Sequence, residues 1–214
     1  MNLRGLIKYT LFRDTTMKGE FRLMRKLAGP DCPRVFVDVG ANDGFYGSNS
    51  FPFVARGWRS LLIEPHPIAF EKLIRRHANR QNATCLNLAC ADSPGEMPLW
   101  FASHDPGGSR ATLASDERMR LRRLPDNAHV LVRVERLDTL LANQGIPSEF
   151  GMLSIDAEGM DYEVLLGLDL KKWRPRVIVT EDYPNKNKCK GEYLTAAGYR
   201  LGGHCAENAM WVPM

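Results

Sequence analysis

Val35-Phe36-Val37-Asp38-Val39-Gly40-Ala41-Asn42-Asp43-Gly44 reads as a short strand that runs straight into a glycine turn. β-branched and aromatic residues favour the extended chain. Gly40 then lets the backbone bend sharply and approach a ligand closely. A dinucleotide fingerprint needs G-x-G-x-x-G. Counting from Gly40, Asn42 takes the second glycine position and Phe45 the third, so a pyrophosphate cradle fails twice. What remains is an acid on the strand, Asp38, followed by a glycine-containing loop. That pair suits a ligand with a cationic amino group and no pyrophosphate. The alternative is a tight turn with no ligand, but Asp38 is then a poor choice inside an apolar strand.

Outward from this stretch, strands and helices alternate. Ser50 to Gly57 reads as a short helix capped by Ser50, and Ser60 to Ile63 as a second strand closed by Glu64-Pro65. A helix from Pro67 puts Phe70, Leu73, Ile74 and His77 on one face. Cys85 to Cys90 is a third strand. Met97 to Ala102 looks like an added strand, Ser103 to Thr112 a flexible Gly/Pro/Ser loop expected to shape a ligand pocket, and 115–124 a charged helical stretch. Val130 to Val134 is strand-like and Leu137 to Asn143 helical. The alternation resumes with strand Met152 to Ile155, helix Tyr162 to Leu168 and strand Val177 to Thr180. A helix near Glu192 and strands Tyr199–Leu201 and Ala209–Val212 close the chain. This order predicts an α/β fold with a mostly parallel sheet covered by helices on both faces. Its ligands bind beyond the carboxyl ends of the strands, where the strand order switches.

Those strand ends carry the acids. Glu64 lies 20 residues after Gly44, where a carboxylate can accept two hydrogen bonds from a ribose diol. Ser154-Ile155-Asp156-Ala157-Glu158-Gly159 puts Asp156 and Glu158 on one side of an extended chain. Thr180-Glu181-Asp182-Tyr183 ends the next strand, so Asp156, Glu158, Glu181 and Asp182 gather. Such a cluster can supply a general base, bind hydroxyls or hold a hard cation, or it can simply cap the following helices. No metal-ligand set is assigned. Among the histidines, His66 is read as a surface-loop residue or a cofactor neighbour, and His204 as one that could reach the acceptor pocket. His77, His104 and His129 have no convergent partners.

Composition bounds the function. The 214 residues suit one domain, and 44% hydrophobic with 25% charged is ordinary globular usage. Seven basic against two acidic residues in 1–28 outweigh the chain's net +4, so the remainder is near neutral. The basic leader therefore gives no reason to expect a nucleic-acid partner. Residues 1–30 are read as a basic helical extension and 31–214 as the main domain. In the extension, Leu3, Leu6, Ile7 and Leu11 share one helix face, as do Phe21, Met24 and Leu27. That helix caps the domain edge or makes a peripheral membrane contact through residues 1–28. The odd set Cys32, Cys85, Cys90, Cys189 and Cys205 lacks C-x-x-C spacing. It fits reduced thiols and a cytoplasmic location, with no signal peptide or spanning helix expected.

Taken in order, D-V-G-A-N-D-G, I-E-P, R-L-D-T-L-L, S-I-D-A-E-G-M-D-Y-E-V-L-L-G and P-R-V-I-V-T-E resemble the FkbM-type methyltransferases. The resemblance covers about residues 34–183, and more loosely the last strands. It implies a Rossmann-like class I methyltransferase three-layer sandwich of seven strands with the last antiparallel. It implies S-adenosyl-L-methionine as cofactor, with Asp38, Gly40, Asn42 and Gly44 at its methionine end. Glu64 would hold the ribose, and the segment from Ala89 to Asp92 would lie near adenine. Asp156 would face the sulfonium methyl or the acceptor, and Ser154 stands where the family often has lysine. The implied activity is O-methylation of a saccharide, glycolipid or natural product. Asp156 is the leading catalytic candidate, supported by Glu158 and Glu181. The alternatives are a non-catalytic S-adenosylmethionine-binding protein of the same fold, an NAD-dependent oxidoreductase and a nucleic-acid methyltransferase. The glycine spacing disfavours the oxidoreductase. The nucleic-acid enzyme is disfavoured because the chain lacks an Asn/Asp-Pro-Pro-aromatic strand end.

Overall fold

The structure, a computed structural model, describes residues 14–102, 111–113, 127–181 and 188–214. Residues 1–13, most of the 103–112 loop with His104, the 115–124 stretch, Asp182 and Tyr183 lie outside the described residues.

Among the described residues, ten strands form two sheets. The main sheet comprises β1 (Val35–Val39), β2 (Arg59–Ile63), β3 (Ala83–Leu86), β7 (Glu149–Ile155), β8 (Arg174–Glu181), β9 (Tyr199–Cys205) and β10 (Asn208–Pro213). Their order is β3-β2-β1-β7-β8-β10-β9, and β10 runs antiparallel to both neighbours. This is the expected seven-stranded class I architecture. The helices are α1 (Glu20–Ala28), α2 (Phe51–Val54), α3 (Pro67–His77), α4 (Leu137–Asn143), α5 (Asp161–Leu166) and α6 (Lys188–Ala196).

Period-two alternation sorts the strand residues into two cores. Val37, Val39, Leu61, Ile63, Leu153, Ile155 and Ile178 pack with residues of α4, α5 and α6. Phe36, Met152, Val177 and Val179 face the other way and pack with Phe21, Met24 and Ala28 of α1. Helix α1 thus shares the main core, while Leu27 is only partly buried. Leu62 packs with Leu73 of α3. Asp38 and Ser154 are register partners on the Phe36 side.

Three local expectations change. Ser50 makes no side-chain cap; instead Ser48 Oγ accepts from Phe51 N at 3.1 Å. On α3 the buried face is Ala69, Leu73 and His77, and Ile74 is exposed. The Cys85–Cys90 strand is broken. Asn87 Nδ2 donates to Glu64 O at 2.8 Å and Pro65 O at 3.1 Å, which draws the chain out of register. After that break β4 (Ala89–Cys90) joins a second sheet, in the order β4-β6-β5, with β6 (Asn127–Glu135) and β5 (Gly95–Ala102). This small sheet walls one side of the switch point between β1 and β7.

Candidate active site

A cavity of about 460 Å³ opens at the carboxyl ends of β1, β2 and β7. Its polar lining includes Asp38, Asn42, Glu64, Ser154, Asp156 and Glu158. Leu99, Ala111, Leu113 and Met160 form an apolar wall on the side of the small sheet.

Glycine decides how the first loop sits. Gly40 has φ 86°, and a Cβ there would stand 1.8 Å from the Asp156 carbonyl oxygen. Any side chain would therefore drive β1 and β7 apart at the cavity. Asn42 has φ 49°, a left-handed conformation that asparagine tolerates better than most residues. Its backbone N donates to Glu64 Oε2 at 2.8 Å, and His66 N donates to Glu64 Oε1 at 2.7 Å. Glu64 thus staples the β1 loop to the end of β2. Each of its oxygens keeps lone-pair capacity for a further donor. Burial pushes Glu64 up to about 7, against its two backbone hydrogen bonds. Burial likewise pushes Asp38 up to about 6, against hydrogen bonds from Ser50 and Ser154.

The second loop follows β7. Here the expected extended geometry is corrected, because β7 ends at Ile155 and Glu158 turns with φ 47°. The turn still gathers Asp156, Glu158 and Glu181, with one oxygen from each lying within 4.8 Å of the others. Asp156 is exposed to the cavity rather than sunk in the core, yet protein crowds it on most sides. That crowding raises its pKa well above the ordinary range, and repulsion from Glu158, Asp161, Asp38 and Glu64 adds to it. A carboxyl so raised is a stronger base once ionised. Thr112 Oγ1 donates to the Glu158 carbonyl at 2.7 Å, and Thr112 also exchanges two backbone bonds with Trp100. The apolar wall is thereby tied to the acidic loop.

The family model for the methyltransferase FkbM domain matches residues 38–201, which contain both loops. The chain belongs to this family of S-adenosylmethionine-dependent methyltransferase domains. Methyltransferase sdnD of Sordaria araneosa is 27% identical over 175 residues, covering 69% of this chain and 65% of that protein. The crystal structure of Methyltransferase FkbM from Methylobacillus flagellatus KT superposes with a TM-score of 0.54 at 16% identity. It covers 84% of this chain and 43% of that one. The delta-N METTL16 methyltransferase domain superposes with a TM-score of 0.52 at 11% identity, covering 98% of this chain and 91% of that one. The FkbM-family chain therefore spans less than two thirds of the fungal relative and under half of the bacterial one.

Not every expected site residue of this FkbM domain meets the cavity. Asp38, Gly40, Asn42, Glu64, Ala89, Asp156 and Glu158 line it. Gly44 does not. A Cβ there would fall 2.4 Å from Leu73 Cδ1 and 2.8 Å from His77 Nε2, so this glycine serves packing against α3. Asp92 lies outside the lining, and its carbonyl accepts from Arg136 Nη1 at 2.5 Å. Arg136 also pairs with Asp138 at 2.9 Å, so the R-L-D motif braces the start of α4. Glu181 touches the acidic cluster but not the cavity lining. His66 is buried, and its Nδ1 accepts from Ala69 N at 3.4 Å as the N-cap of α3. His204 is exposed and outside the lining. Cys90 lines the cavity, but burial holds its thiol protonated. The sequence reading missed Asn49, whose Nδ2 donates to Ser154 Oγ at 3.3 Å, and Asp161 with Lys190. Asn49 carries no sequence signal. Asp161 lies inside the D-A-E-G-M-D motif, where a third acid three residues past Glu158 could have flagged it.

Proposed function

We propose that this chain transfers a methyl group from S-adenosylmethionine to a hydroxyl of a saccharide, glycolipid or natural-product acceptor. One observation carries the reading: a single cavity joins Asp38, Gly40, Asn42 and Glu64 to Asp156 and Glu158. The residues fit the cofactor. Asp38 suits its ammonium, Glu64 retains acceptor capacity for ribose hydroxyls, and the Gly40 turn leaves backbone bare where a ligand must come close. The surplus of carboxylates suits a sulfonium cation and would repel the pyrophosphate of NAD.

When bound, the cofactor supplies an electrophilic methyl group. The chain's part is to orient, exclude water and move one proton. Asp156 stands open to the cavity and accepts the proton of the acceptor hydroxyl. Crowding by the protein, with repulsion from Glu158, Asp161, Asp38 and Glu64, keeps it basic. The apolar wall of Leu99, Ala111, Leu113 and Met160 keeps bulk water off that exchange.

The test is transfer of a labelled methyl group to a panel of hydroxylated sugars, glycolipids and polyketide or terpene alcohols. An alkali-stable ether product, reduced at least about 100-fold in Asp156→Asn, supports O-methylation and the base role. Base-labile label would indicate a carboxyl acceptor, and full turnover by Asp156→Asn would remove the base.

A further inference from the structure

Three carboxylates of the second loop come from two strand ends, and one buried group touches both. Asp161, the first residue of α5, is 2% exposed and Lys190 of α6 is 7% exposed. Asp161 Oδ1 accepts from Ala157 N at 3.0 Å, the amide between Asp156 and Glu158. Asp161 Oδ2 accepts from Glu181 N at 3.0 Å and from Lys190 Nζ at 3.2 Å. Lys190 Nζ also donates to the Glu181 carbonyl at 2.5 Å. One side chain thus fixes the backbone at both strand ends that carry Asp156, Glu158 and Glu181.

We infer that the Asp161–Lys190 pair is a positioning unit that sets Asp156 and its neighbours against the sulfonium side of the cofactor. The inference rests on the cofactor reading above. The pair reaches the cavity only through other residues, since neither Asp161 nor Lys190 lines it. Three donors converge on its two oxygens and fill three of the carboxylate's roughly four lone-pair sites. Burial raises Asp161, and Lys190 with the two backbone N–H groups works against that rise. A buried pair of this kind is weak evidence for stability, and a register or positioning role is its better-attested use. The first loop does not depend on this pair, because glycine contacts and its own carboxylate, Glu64, hold it.

The two loops should therefore respond differently to one substitution. Asp161→Asn keeps the shape but sets an amide N–H₂ either against the Ala157 N–H or against the Glu181 N–H and Lys190 together. S-adenosylhomocysteine reads the first loop, since it carries the same ammonium and ribose but no sulfonium charge. S-adenosylmethionine reads both loops. Calorimetric titration of both nucleosides into wild type, Asp156→Asn and Asp161→Asn separates them. The expected result is S-adenosylhomocysteine affinity within about twofold of wild type in Asp161→Asn. The preference for S-adenosylmethionine should fall by about fivefold or more, as in Asp156→Asn. Hydrogen exchange at the Ala157 and Glu181 amides should rise at least about tenfold without ligand. If Asp161→Asn fails to fold, Lys190→Met keeps both backbone bonds and should lower the preference in the same direction. A preference that moves in Asp156→Asn but not in the pair's variants overturns the positioning role and leaves the cofactor reading intact. Wild type that binds neither nucleoside overturns the cofactor reading and this inference with it.

Discussion

The ends of β1, β2 and β7 line one cavity, the end of β8 joins the acidic cluster beside it, and the two pairs of strand ends are held in different ways. The first pair combines a glycine close approach with a single carboxylate stapled to main-chain donors. Gly40 admits the Asp156 carbonyl, and Glu64 accepts the amides of Asn42 and His66. The second pair depends on a side-chain hub, Asp161 with Lys190, and on a threonine bridged to Trp100 of β5. A loop held by backbone packing changes abruptly when it is disturbed. A loop held by side-chain hydrogen bonds changes by degrees.

The sharpest attempt to break this contrast is Gly40→Ala. The new Cβ meets backbone at 1.8 Å and the φ of 86° is unfavourable, so neither side can yield cheaply. Loss of stability of roughly 3 kcal/mol or more and loss of measurable nucleoside binding are expected, read by denaturant melts and calorimetry. Gly145→Ala is the control. Its φ of 57° is also left-handed but nothing lies within 4 Å, so a cost near 1 kcal/mol and unchanged binding are expected. Equal losses at the two positions would remove close approach as the cause.

Glu64 comes next. Glu64→Ala loses two backbone bonds and the ribose acceptor together, and nucleoside affinity should fall about 100-fold. Glu64→Gln should do nearly as badly. Both oxygens face N–H donors, so one of them must become a clashing N–H₂. Near-normal binding by the glutamine variant would break the staple.

The buried acids of the first pair also predict a pH signature. Asp38 near 6 and Glu64 near 7 bind protons more tightly folded than unfolded. Their stabilising contribution is complete below about pH 4 and is lost as pH rises through 6 to 7. The ligand-free protein should lose at most about 3 kcal/mol per group on that rise, with Tm falling in a scan from pH 5 to 8. S-adenosylmethionine should reverse the trend and release protons on binding, seen as buffer-dependent binding heats. A ligand-free Tm that climbs steadily from pH 5 to 8 would contradict it.

The smallest effect is expected at Thr112→Val. It removes one hydrogen bond to the Glu158 carbonyl and should cost about 1 kcal/mol. S-adenosylhomocysteine affinity should stay unchanged, because the first pair is untouched.

The same contrast explains what the sequence reveals. The fold and the first pair are written locally. Strand and helix alternate along the chain, and Asp38 before a glycine turn and Glu64 at the next strand end lie within 27 residues, so their spacing carries meaning. The cluster of Asp156, Glu158 and Glu181 was also legible, though not the turn at Glu158 that builds it. Asp161 and Lys190 are 29 positions apart, and nothing local marks either as the other's partner. Thr112 meets Glu158 across 46 positions, held by an isolated bridge to Trp100 that strand propensity does not mark. Gly44 misled for the opposite reason. Its glycine is required, but by Leu73 and His77 rather than by a ligand. Asn87 broke a strand through its own amide, which strand propensity does not register.

The central claim is that the first pair of strand ends holds S-adenosylmethionine, and calorimetric titration of the cofactor into wild type and Glu64→Ala, with NAD as control, tests it most directly. The account predicts saturable one-to-one binding by wild type, about 100-fold weaker binding by the variant and no heat from NAD. NAD binding, or S-adenosylmethionine binding that is indifferent to Glu64, would contradict it.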